Sequence, residues 1–522
     1  MRKLACAMLK QASALQKEDK MDKPNFLLII TDQQRADTLG LYGSEIGATP
    51  NIDLLGSTGV TFNRGYCNNP LCMPSRASIL AGRYPSVTGV RTNGVIARSG
   101  QPLLPELLSK AGYQTGAFGK IHYHPSMGTG SLKPDEYWPE HPDTIASGED
   151  LTKPYLGFQT VALACGHGDV SRGLQARELS EKFPDVYSKR GANSALLVPD
   201  PLLHHAQKIN TYKTSIPEEH YPTTWVVNKT IDFIEKTQEP FFVWCGINDP
   251  HHPFKPPGHY WEMFKPEDMP LPIKRDGEMD DKPPHFRNFF DGKYKDMDTD
   301  GFLLGNKDYL TDERIRIIKA AYYGMVAMID DNVARMLKVL EDKGLRQNTI
   351  VIFVSDHGEF MGDHGFVLKG PMHYENVLRV PFLWNWPGNF PEKHTVDGPV
   401  GLIDLFPTIL DLANIPAPEG AQGKSLIEQL KGNSHRRHEE VYIENDVDSL
   451  DLRLRTLVTD RWKLTWYAEK DYGEIYDLEN DPNEFVNLWD HCDPAIKYDL
   501  VSRLLDLVVA NQDILPPKIS HA

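Results

Sequence analysis

Three stretches of the chain are apolar at consecutive positions: Asn25–Thr31, residues 241–247 and Thr349–Ser355. Continuous rather than alternating apolar residues mark strands covered on both faces. Each stretch runs into polar residues: Asp32-Gln33, then Asn248-Asp249-Pro250-His251, then Asp356-His357. Residues 113–118 read as a further strand. Helical spacing fills residues 103–111, 224–236 and 313–343. Strands alternating with helices predict an α/β fold: a large, doubly wound, mostly parallel sheet with helices on both faces. Ligands of such sheets sit at the carboxyl ends of the strands. The polar residues after the apolar runs are therefore expected to meet at one edge.

Asp404 with Pro407 reads as a capped helix start, and residues 416–420, Pro-Ala-Pro-Glu-Gly, read as a linker. Beyond residue 441 the pattern changes to short strands at 441–443, 452–458, 462–466 and 474–478, a turn at 480–483, and a closing helix at 498–511. This predicts a small antiparallel α+β subdomain over residues 431–522, following a main α/β domain over 21–430. Residues 1–20 read as a disordered N-terminal extension, with Met21 as an alternative start. Residues 265–306, rich in Pro, Asp, Lys and Gly, read as a long surface insertion.

With 522 residues, 40% hydrophobic and 25% charged, the chain has the makeup of a globular protein. Its 56 basic and 72 acidic residues leave a net charge of -16, which argues against general nucleic-acid binding. An anionic substrate stays open, because local charge in a cleft can oppose the global sign. The cysteines at 6, 67, 72, 165, 245 and 492 form neither a disulfide framework nor a zinc spacing. No stretch is long and apolar enough to span a bilayer. The apolar patch at 4–9 is too short for a secretory core, so the expected location is cytoplasmic. No interface signal is legible, and a homo-oligomer of closed symmetry stays open for a chain of this size.

Candidate chemistry clusters in five places. Cys72-Met73-Pro74-Ser75-Arg76 opens an apparent helix, Ala77-Ser78-Ile79-Leu80 following. Asp32-Gln33 and Asp356-His357 each follow a buried strand, and their oxygens suit a hard divalent cation, calcium or magnesium. The histidine widens the choice to manganese. Gly119-Lys120-Ile121-His122 follows the strand at 113–118, and Lys120 and His122 share a side if extended. Pro250-His251-His252-Pro253 follows the second apolar run. Lys369 lies twelve residues after His357, before Tyr374-Glu375.

Taken together these runs resemble the sulfatase family of the alkaline phosphatase superfamily, over roughly residues 25–488. The resemblance extends to Arg461-Trp462-Lys463-Leu464 and to the Tyr476-Asp477-Leu478 ending. It implies an alkaline-phosphatase-like fold and hydrolysis of a sulfate ester. It further implies that Cys72 is oxidised by a formylglycine-generating enzyme to formylglycine. In that case Asp32, Gln33, Asp356, His357 and residue 72 hold one divalent metal, most simply calcium. Arg76 pairs with the nucleophile and the metal carboxylates. Lys120 and Lys369 bind sulfate. His122 deprotonates the hydrate when sulfate is expelled, and His251 contacts the leaving oxygen. Asp363 and His364 support the metal loop from behind.

Gln33 and His357 resemble the phosphonate monoester hydrolase and choline sulfatase branches, which keeps phosphonate or phosphodiester hydrolysis as the alternative. Ser75 matches the sulfatase form of the signature. A non-catalytic binding protein would have lost a metal carboxylate, a lysine or Cys72, and none is lost. Specificity is expected from residues 124–237, with Gly166-His167-Gly168-Asp169, Arg172 and His204-His205 near the pocket mouth. Carbohydrate, aryl and choline sulfates all remain open as substrates.

Overall fold

The computed structural model describes residues 23–125, 154–191, 211–238, 240–294, 310–433 and 439–512. The expected N-terminal extension, the His204-His205 pair and residues 295–306 lie outside these.

A nine-stranded sheet forms the centre. Its order is His394–Val396, Val60–Phe62, Phe382–Asn385, Thr349–Ser355, Asn25–Thr31, Phe241–Gly246, Gln114–Gly119, Thr160–Cys165 and Arg172–Gly173. The five strands from Thr349–Ser355 to Thr160–Cys165 are parallel, and Phe382–Asn385 runs antiparallel beside them. The three apolar runs are adjacent and fully buried. Successive side chains of one strand point to opposite faces. Phe26, Leu28 and Ile30 therefore pack with Leu80, Leu104 and Phe406, while Leu27 and Ile29 pack with Val226, Ile329 and Val333. The parallel register sets Leu28 beside both Trp244 and Ile352, and Thr31 beside Ser355. Asp32, Lys120, Ile247 and Asp356 thus leave the sheet along one edge.

Two glycines let neighbouring strands approach at that edge. Gly119 has φ 87, and a Cβ there would lie 2.0 Å from the Gly246 carbonyl oxygen. The closeness lets the Lys120 amide donate to Gly246 O at 2.8 Å and the Trp244 indole donate to Lys120 O at 2.9 Å. The helix Asp312–Asp342 crosses the other face, its N-terminus capped by the Thr311 hydroxyl. From it the Tyr322 hydroxyl donates to Gln33 O at 2.8 Å and accepts from Arg35 N at 3.0 Å.

The C-terminal segment forms a separate four-stranded antiparallel sheet: Glu440–Val447, Leu452–Thr459, Trp462–Tyr467 and Gly473–Asp477. Its helix, Pro494–Ala510, starts earlier than the apolar pattern suggests, because Asp493 caps Ala495 N and Pro494 needs no donor. The reading of residues 265–306 as surface loop is corrected over its described part. Met279, Phe286 and Phe289 are buried with Phe360, Tyr374, Leu454 and Tyr467. Lys282 donates to Tyr476 Oη at 3.0 Å and Glu484 O at 2.7 Å. The polar composition hid a wedge that packs between the loop after Thr349–Ser355 and the C-terminal sheet, its buried lysine bonded to a hydroxyl and a carbonyl. Among the described residues, no helix is long and apolar enough to cross a membrane.

Gly119→Ala should lower the unfolding free energy by about 2 kcal/mol or more, from backbone strain and overpacking together. An unchanged urea midpoint would contradict this. Burial holds His285 and His373 at about 3, against 6.5 for the exposed group. Between those values only the unfolded chain takes up the proton. Stability is therefore complete above the unfolded value and is lost as pH falls toward the folded one. His373→Gln should narrow the drop in Tm between neutral pH and about pH 5, and an undiminished drop would refute the assignment.

Candidate active site

Helix Cys72–Ala81 starts at the carboxyl edge of the sheet, and all ten of its residues are buried. Pro74 lies in its first turn, where no backbone donor is needed, and Gly82 ends it at φ 63. The helix aims three side chains at the strand ends. Cys72 Sγ lies 3.2 Å from His357 Nε2 and 3.6 Å from Asp32 Oδ1. The Ser75 hydroxyl donates to Asp356 O at 2.6 Å. Arg76 Nε donates to Asp356 Oδ2 at 2.7 Å, its Nη1 donates to Lys120 O at 2.8 Å, and its Nη2 lies 3.7 Å from Asp32 Oδ2.

Asp32, Cys72, Asp356 and His357 each bring one donor atom within 4.8 Å of the others, and all four are buried. His357 Nδ1 lies 2.9 Å from Gly358 O. That carbonyl fixes the proton on Nδ1 and leaves the Nε2 lone pair facing the cluster. Two carboxylates and one imidazole lone pair fit a divalent cation. Gln33 sits beside them in the left-handed region, at φ 66. Its amide N–H groups donate to Glu359 and its Oε1 accepts from Lys369 at 2.6 Å. Glu359 is pinned in turn by the amides of Met361 and Leu368.

Lys120 and Lys369 enter from opposite sides. Lys120 Nζ pairs with Asp32 Oδ2 and lies 2.8 Å from His167 Nε2. Lys369 Nζ lies 2.6 Å from His251 Nε2. The His167 and His251 rings are stacked, centroids 3.5 Å apart at 11°, and His252 continues the stack at 4.2 Å. His122 turns off the strand end at φ 55.

Burial opposes ionisation of Asp32, but the cations Lys120, foremost, and Arg76 hold its carboxyl well below the usual range. Burial would lower Lys120, yet Asp32 raises it above its ordinary value, so it stays a cation. Burial, then Asp32, pushes the Cys72 thiol up to about 11. As a thiol it is a poor nucleophile at neutral pH. Burial lowers the imidazoles: His167 to about 4, and His122 and His251 well below their ordinary value, with Lys120 adding at His122. These rings are neutral bases.

The fold therefore brings together the residues after all three apolar runs, the Cys72 helix and Lys369. His167, expected only at the pocket mouth, touches the cluster itself. Its flanking glycines, Gly166 and Gly168, were the available signal. Glu359 and Tyr322 carried none, because their role is to hold Gln33 and they lie on other elements.

The sulfatase family model matches residues 24–415, and the model for the C-terminal part of N-sulphoglucosamine sulphohydrolase matches residues 362–510. An arylsulfatase of Clostridium perfringens is 29% identical over 495 residues, covering 92% of this chain and 94% of the relative. A choline-sulfatase of Rhizobium meliloti is 24% identical over 505 residues, covering 94% and 87%. The crystal structure of the phosphonate monoester hydrolase of Agrobacterium radiobacter superposes with a TM-score of 0.79 at 23% identity, over 94% of this chain and 96% of that one, a likeness of fold. With three quarters of its length matched by the family model, this chain belongs to the sulfatase family, the sulfuric ester hydrolases of alkaline-phosphatase-like fold.

Proposed function

We propose that the protein hydrolyses a small-molecule or carbohydrate sulfate ester to an alcohol and inorganic sulfate, with residue 72 as the nucleophile after oxidation of Cys72 to formylglycine. The observation that carries the reading is Cys72 itself. It sits inside a buried cluster of two carboxylates, three cationic side chains and neutral imidazoles, with its thiol held protonated. An unmodified thiol in that state has little to offer as a nucleophile.

Asp32, Asp356, His357 and residue 72 would hold one divalent cation, with Gln33 as a further oxygen donor. The two buried carboxylates make calcium the first choice, and manganese or magnesium follow. The cation supplies Lewis-acid polarisation of the transferring group. Formylglycine would supply a hydrated aldehyde, with one hydroxyl oxygen to take the SO3 group as its bond to the ester oxygen breaks and a second to let inorganic sulfate leave as the aldehyde returns.

The chain's own residues do the rest. Arg76 holds the Asp356 carboxylate in place to accept the proton of the attacking hydroxyl. Lys120 and Lys369 place positive charge on the sulfate oxygens, where negative charge must be carried in the transition state. His251 faces the leaving oxygen and carries Lys369 on its Nε2, and that cationic lysine passes the oxygen its proton. Neutral His122 takes the second hydroxyl's proton as sulfate departs. A serine-type ester has no second hydroxyl and would need fresh attack at sulfur. Maturation by a formylglycine-generating enzyme follows from the reading.

Gln33 and His357 in the metal set favour a second reading, phosphonate monoester or phosphodiester hydrolysis at the same residues. Ser75 weighs toward sulfate. Its hydroxyl anchors the Asp356 carbonyl.

The test is turnover of an aryl sulfate against an aryl phosphonate monoester by protein co-expressed with a formylglycine-generating enzyme, with Cys72→Ala as the blank. Faster Cys72-dependent sulfate cleavage is expected, and faster phosphonate cleavage would move the chain to the second reading. Cys72→Ser should release one equivalent of alcohol and then stall; sustained turnover would sink the two-hydroxyl argument. Chelation of divalent ions should abolish turnover of the matured enzyme, with calcium restoring it. Full activity in chelator would remove the cation from the mechanism.

A further inference from the structure

We propose that His167 is a positioning residue of this reaction, tying the sulfate-binding Lys120 to the leaving-group histidine His251. The inference rests on the sulfate-ester reading above. It starts from a symmetry in the site. Lys369 lies 2.6 Å from His251 Nε2, and Lys120 lies 2.8 Å from His167 Nε2. The two rings are stacked nearly parallel, centroids 3.5 Å apart. The two lysines are thus couples of one imidazole stack. A cationic lysine donates, so His167 Nε2 is the acceptor and its proton sits on Nδ1. The same Nε2 is 3.5 Å from Asp32 Oδ2, which Lys120 also holds.

A histidine on a mobile loop could not do this, but the His167 loop is anchored on every side. Asn248 Nδ2 donates to Ala164 O at 2.9 Å and also to Gly166 O. Gly166 and Gly168 take φ 81 and 55, and a Cβ on Gly168 would lie 3.0 Å from Pro253 Cγ. The loop therefore lies directly on the turn that carries His251. Asp169 is buried, accepting from Lys255 at 2.9 Å and from the Thr214 hydroxyl at 2.8 Å. Arg190 donates to the carbonyls of Asp169, at 2.8 Å, and Ser171. This much fixed structure around one half-buried ring points to a need for its exact position rather than for its surface.

The two contacts have separable kinetic signatures. Lys120 acts on the sulfate and benefits every substrate alike. His251 acts on the leaving oxygen, so its benefit grows as the leaving alcohol becomes more basic. His167→Phe keeps a stacking ring and removes the Lys120 acceptor. His167→Gln keeps an acceptor and removes the ring. His167→Ala removes both.

The experiment measures kcat/KM for a series of aryl sulfates of graded leaving-group pKa, with Tm recorded for each variant. For His167→Phe a uniform loss of roughly 10–100-fold is expected across the series. For His167→Gln the loss should rise with leaving-group pKa, and His167→Ala should show both effects. Parent values and parent dependence in all three variants would overturn the proposal. So would equal losses in all three accompanied by a lowered Tm, which would make His167 a packing residue only. A parent enzyme without Cys72-dependent sulfate cleavage would overturn the underlying reading as well.

Discussion

Asp32 and Asp356 leave the ends of neighbouring parallel strands with no solvent exposure, and a buried carboxylate costs several kcal/mol unless it is paired. Arg76 and Lys120 meet that demand. Arg76 reaches both carboxylates from a helix, and Lys120 reaches Asp32 from the next strand but one. The pairing sets the position of everything else at this edge. It fixes where the Cys72 helix must begin, because Arg76 lies one turn into that helix. It fixes the approach of the Gln114–Gly119 and Phe241–Gly246 strands, because Lys120 must emerge level with Asp32. It also leaves a ring of neutral imidazoles, since cations are already present and burial penalises more of them.

The supporting contacts are mostly backbone atoms held by side chains from other elements. Ser75 holds the carbonyl of Asp356, Tyr322 holds the carbonyl of Gln33, and Glu359 gathers two amides and the Gln33 side chain. Such contacts fix loop geometry, and those of Ser75 and Tyr322 do so without adding charge to the site. They explain how Gln33, Met361 and Leu368 persist at positive φ where a free loop would relax. The C-terminal sheet joins through charge pairing instead, a buried Lys463 paired with Glu375 and Glu484.

Much of the core was legible because its physics is local. A strand buried on both faces must be apolar at every position, and Asn25–Thr31, residues 241–247 and Thr349–Ser355 say so in their composition. The short strands Val60–Phe62, Phe382–Asn385 and His394–Val396 carry too few residues for a period to register, and pairing with neighbours creates them. The wedge at 278–290 misled for a different reason. Its lysine and histidine look exposed in a list of residues and are buried only because Tyr476, Glu484 and Tyr467 come to meet them.

The sequence by itself determined the strand ends, the helix that opens at Cys72 and the set of chemical groups at one edge of a parallel sheet. These follow from hydrophobic pattern and from spacing along one segment. Only the tertiary structure decided that Lys120 and Lys369 each meet an imidazole, that the His167 and His251 rings stack, and that Gln33 is held by Glu359. Those contacts join residues 47 to 326 positions apart. No period or spacing within a segment encodes them, because they exist only once the strands have set their register.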